Sequence, residues 1–143
     1  MRVTGAVLGA LVAAMLIYGC GGGDPEPLPK TAFLKQGNEI CARAEKTRAE
    51  DSKALAENEG GSGDEELESF VSDAVAPSVG DMTSELGDLG APKGEEKQVE
   101  KIIAEYEAGL EKLEAEPKLM LEGDPFAAAN KMAGEYGLTE CVI

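Results

Sequence analysis

Three cysteines, at positions 20, 41 and 141, constrain this 143-residue chain more than any other feature. The first follows an apolar run, Val3 to Tyr18, that is sixteen residues long and led by a single positive charge, Arg2. A membrane-spanning helix needs about 20 apolar residues, whereas a shorter run behind a basic residue suits the apolar core of an export signal. Setting Cys20 aside with that signal leaves an even pair, Cys41 and Cys141, one near each end of what remains.

The junction Ile17-Tyr18-Gly19-Cys20 resembles a bacterial lipobox, with an aliphatic residue at −3, a small residue at −1 and then Cys. Tyr18 departs from the small or β-branched residue usual at −2. The resemblance implies a signal peptide over 1–19, cleaved before Cys20, and a diacylated thiol that holds the chain at the extracytoplasmic face of the cell membrane. The alternative is an uncleaved anchor in which Gly5 and Gly9, four apart, pack against another helix. In an oxidising compartment the pair Cys41 and Cys141 reads as a structural disulfide, with buried free thiols as the rival. A redox pair calls for close spacing, and two thiolates without imidazole make a poor metal site.

The chain carries 13 Lys and Arg against 28 Asp and Glu, a formal charge of −15, and no His. Lack of His excludes a Ser-His-Asp triad, a Cys-His nucleophile and any imidazole metal site. The charge excludes nucleic acid as a partner, because a phosphate backbone requires a basic stripe.

Residues 20–30 read as a tether, with Gly21 to Gly23 flexible and Pro25, Pro27 and Pro29 opposing helix. From 31 to 143 the apolar spacing is helical, and no segment shows the two-residue alternation of a strand. Thr31 is placed to cap a first helix with Phe33, Ile40, Cys41 and Ala44 on its buried stripe and Gly37 on the same side. Beyond Thr47 that stripe thins until Leu55, so this end is expected to fray or to lie outside the core. Asn58 to Glu66 reads as a solvated Gly-rich connector that lacks the ligand alternation of a calcium loop. A second helix, carrying Leu67, Phe70, Val71, Val75, Val79, Met82, Leu86 and Leu89, should kink or split at Pro77. Glu95 to Ala115 is the clearest helix, with Val99, Ile102, Ile103, Tyr106, Leu110 and Leu113 along one stripe. Gly123-Asp124-Pro125 then caps a short last helix through Phe126, Asn130 and Ala133, which Gly134 to Gly137 closes.

Three stretches, Phe33 to Cys41, Val75 to Pro92 and Ala133 to Cys141, resemble a loose group of small actinobacterial secreted proteins and lipoproteins. That resemblance implies a helical bundle closed by one disulfide between the first helix and the C-terminus. It implies no particular activity. The expected fold is therefore all-α, a small bundle of about four helices, the second kinked at Pro77, closed through Cys41 and Cys141.

Carboxylates are abundant, but a general acid needs burial to raise its pKa, and the acids here fall on polar faces and loops. Met82, Met120 and Met132 read as core filler in preference to soft-metal ligands. No catalytic, cofactor-binding or metal-binding residue is assigned; the residues singled out are Cys20 for lipid and Cys41 and Cys141 for the disulfide. The expected function is a lipid-anchored, non-catalytic envelope module that binds a protein or small ligand or fills a structural role. The alternatives are a lipoprotein carrying a small molecule or cation and, behind it, a carboxylate-dependent hydrolase. An apolar cavity between helices would favour the carrier, and an exposed apolar surface would favour partner binding.

Overall fold

The computed structural model describes residues 25–58 and 63–143. The expected signal peptide, Cys20 and the glycines after it lie outside the described residues, as do four residues of the expected acidic connector. Among the described residues the fold is all-helical. Helix α1 spans Lys30–Asn58, α2 Asp64–Phe70, α3 Ala76–Asp88, α4 Glu96–Ala115, α5 Leu119–Glu122 and α6 Ala127–Tyr136. A π-helical turn, Val71–Val75, joins α2 to α3 without a break, and a 3₁₀ turn, Thr139–Cys141, ends the chain.

Helix α1 starts as soon as proline permits. The Pro29 carbonyl accepts the first amide bonds, from Ala32 at 2.9 Å and Phe33 at 3.0 Å. Thr31 is not the cap: it is already helical and exposed. Of the two outcomes expected after Thr47, α1 takes the second: it stays helical to Asn58 but lies outside the core, with no buried residue beyond Cys41 among its described side chains. Its second half is rich in Ala, Glu and Lys, which keep helix propensity high where the apolar stripe is thin. Lys46–Glu50 and Lys53–Glu57 pair one turn apart, both at 3.8 Å. The Ser78 hydroxyl donates to the Ala44 carbonyl at 3.0 Å and ties this half to α3.

The break expected at Pro77 takes the form of the π turn just before it. Proline has no N–H, and its ring would press on the carbonyl of residue 73 in a regular helix. One extra residue per turn moves that carbonyl away, and the Ala76 amide bonds five residues back to Val71. The same shift brings Val71, Ala74 and Val75 onto the buried face. The connector is shorter than expected, because helix resumes at Asp64. Helix α5, a single turn after Pro117, was not foreseen.

Helix α3 packs between α1 and α4, α6 lies on α4, and the 3₁₀ turn lies against α1. Phe33, Leu86, Ile102, Tyr106, Leu113 and Leu138 fill the centre and are almost fully buried. Met82 is core filler, as its spacing suggested. Gly37 leaves room for Leu138: a Cβ there would stand 2.6 Å from its Cδ2. Gly137 ends α6 at φ 110°, with Leu138 N–H bonded to the Ala133 carbonyl at 2.9 Å and Gly137 N–H to Gly134 at 3.2 Å. This is a Schellman ending, which requires the left-handed conformation that glycine adopts without strain.

The helical packing extends back into the expected tether. Pro25 to Pro29 forms an extended strap across the α3–α4 connection, with the Leu28 amide donating to the Gly90 carbonyl at 2.9 Å. Leu28 packs against the core. A Cβ at Gly90 would overlap the Glu26 carbonyl, so only glycine admits the strap. No helix among the described residues is long and apolar enough to cross a membrane.

Candidate functional site

The disulfide foreseen from the cysteine count is formed. Cys41 and Cys141 are bonded with their Cα atoms 4.8 Å apart across 100 residues of sequence. Both are buried, at 2% and 1% exposure. Helix α1 presents Cys41, and the 3₁₀ turn after the Gly137 ending presents Cys141.

Three polar side chains hold the returning chain in place. Asn38 on α1 donates to the Leu34 and Gly137 carbonyls, at 2.9 and 3.1 Å, and accepts the Glu140 amide at 2.9 Å. Tyr106 on α4 donates to the Cys141 carbonyl at 2.5 Å. Asn130 on α6 brackets Ile143, donating to its carbonyl and accepting its amide, each at 3.0 Å. Its amide also reaches Asp124 at 3.3 Å, whose other carboxylate oxygen caps the Phe126 amide at 2.9 Å. Burial, with the Asp124 charge adding to it, pushes the Tyr106 hydroxyl well above its usual range, so it stays protonated and serves as a donor. Asn38, Tyr106 and Asn130 each bond to backbone of the returning segment. The sequence signal for Asn38 was faint: an Asn in mid-helix, where it competes poorly unless its side chain has a partner.

A second polar group joins α1 to the start of α4. Lys30 pairs with Glu95 at 3.0 Å and lies over the Tyr136 ring, 4.4 Å from its centroid. The Tyr136 hydroxyl, buried beside Glu95 without completing a full hydrogen bond, and then the Lys30 ammonium hold the Glu95 carboxyl below the usual carboxylate range. Burial and the Glu95 charge push Tyr136 upward in turn.

Three open grooves among the described residues bear on function. One, of about 600 Å³, runs between α2 and the end of α4 and is lined by Glu65, Glu68 and Glu114. All three are exposed, so they lack the burial a carboxyl acid catalyst needs. Among the described residues no group of three or more Cys, Asp or Glu could hold a metal ion. A second, of about 290 Å³, is apolar, formed by Leu55, Leu67, Phe70 and Leu121, with Leu121 77% exposed. The third, of about 620 Å³, lies between α3 and α4 beneath the strap. Leu86 and Val99 form its floor, Ala91 and Ile103 its half-buried sides, and Glu26, Glu96 and Glu100 its rim.

These features define an all-α bundle closed by a terminal disulfide, with polar residues used for closure and apolar grooves open to solvent. Comparison with protein-family models, curated proteins and solved structures finds no match for this chain.

Proposed function

We propose that this chain is a lipid-anchored, non-catalytic module on the extracytoplasmic face of the cell membrane, and that its helical domain binds a protein partner. The observation that carries the reading is the strapped groove between α3 and α4, apolar below and acidic above, whose strap begins five positions after Cys20 in the sequence. Two features support binding over carriage. The space between the helices is filled by large side chains such as Tyr106 and Phe33, and the apolar surface lies in open grooves. The buried Tyr106 and Asn130 and the half-buried Asn38 are committed to holding the C-terminal segment, which leaves them no part in chemistry.

The lipobox-like junction at Cys20 supports the anchor. Two acyl chains suffice for stable attachment where one is marginal, and a domain this acidic has no affinity of its own for anionic lipid. Cys20→Ala should abolish incorporation of labelled fatty acid and leave an unprocessed precursor or protein shed into the medium. Membrane fractionation of wild type and variant checks this. Wild-type protein that takes up no fatty acid and retains residues 1–19 would overturn the anchor.

A further inference from the structure

We infer that the strapped α3–α4 groove is the docking site for a basic amphipathic helix of a partner protein, with the strap as one of its walls. The inference rests on the binding-module reading and gives that module its partner chemistry. The groove joins two properties that call for one kind of occupant. Its floor and sides are apolar, through Leu86, Val99, Ala91 and Ile103. Its rim is acidic on both sides, with Glu26 from the strap and Glu96 and Glu100 from α4. Glu26 and Glu100 form no ion pair among the described residues, and Glu96 spends one oxygen on the Gly94 amide at 2.9 Å. A helix with a Leu-type face flanked by Lys or Arg fills such a groove and neutralises its edge. An anionic lipid surface would be repelled by the same rim.

The strap sets where the groove stands. Four residues lie between Cys20 and Pro25, so five residue steps span at most about 18 Å when extended. An anchored Cys20 therefore keeps the groove close to the bilayer, within reach of the membrane-adjacent part of a partner. Gly90 is the lock on this arrangement, because any side chain there displaces Glu26 and with it one wall and one rim charge.

The test uses the soluble chain from Gly21 to Ile143, which contains every core residue described, and a synthetic helix with one Leu face and one Lys face as probe. Titration at physiological salt should show about tenfold weaker binding for Glu100→Lys and for Gly90→Ala. Glu50→Lys changes net charge by the same amount about 30 Å along α1 from the strap, and should bind as wild type does. Gly80→Ala, at an open position, is the matching control for Gly90→Ala. Equal weakening by Glu100→Lys and Glu50→Lys would reduce binding to bulk charge and overturn the site. Co-sedimentation with anionic vesicles, or self-association lost on Ile103→Ser, would assign the groove to lipid or to a second copy and overturn it as well. In intact cells, a partner crosslinked only through another face overturns the groove while leaving the binding module standing. Loss of fatty-acid labelling in wild type bears on the anchor alone.

Discussion

Single residues carry charge effects that helical periodicity does not reveal. Glu95 was read as the start of a helix, yet it closes a three-way contact with Lys30 and Tyr136. Its folded pKa lies below the unfolded value, so the ionised form favours the folded state. That contribution is fully present above the ordinary Glu range, about 4.3, and is lost as pH falls through the lower folded value. Glu95→Gln should therefore unfold at lower urea than wild type at neutral pH, with the gap narrowing as the pH is taken below about 4. Urea titrations of both proteins across that range check it, and a gap that stays constant would show that the carboxylate charge is not what matters.

At the scale of elements, local propensity and local geometry decided more than amphipathicity. The second half of α1 has a thin apolar stripe but strong helix formers, and it stays helical. Pro77 signals a disturbance, and the chain meets it with a π turn that ends two residues upstream because a widened turn keeps Val71, Val75 and Val79 on one face. The end of α6 has a single-residue dependence. Gly137 sits at φ 110°, and a Cβ there would also stand 3.2 Å from Leu34. Gly137→Ala should cost about 1 kcal/mol or more, since alanine must adopt the left-handed conformation. Thermal unfolding checks it, and a melting temperature equal to that of wild type would sink the account of this ending.

For the whole molecule, the disulfide is the closure on which the other contacts depend. It joins residues 100 apart, and the chain-entropy model gives such a loop about 4.7 kcal/mol, an upper figure for many real bonds. Against the roughly 5–15 kcal/mol of a typical domain this is a large share. Asn38, Tyr106 and Asn130 bond to the segment that Cys141 anchors, so losing the bridge loosens those contacts together. Cys141→Ser should lower the melting temperature by about ten degrees or more. The buried bridge should also resist mild reductant in the folded protein and react readily in denaturant, as thiol titration would show. Two titratable thiols in the oxidised folded chain, or an unchanged melt for Cys141→Ser, would contradict this.

What the sequence determined by itself was the helical class, the order of the main helices and the cysteine pairing. Each follows from local spacing, from proline and glycine, or from a count of three cysteines with one set apart beside an apolar run. The candidate groove was not legible there. Pro25, Glu26 and Pro27 read as tether because prolines and acids far from an apolar stripe carry no sign of what they will touch. Only the tertiary structure brings them over Gly90, between α3 and α4, because the missing Cβ matters solely to a segment that arrives from more than sixty residues away. The same holds for Asn38, Tyr106 and Asn130: their hydrogen bonds cross the chain, and cross-chain partners are set by packing and not by periodicity.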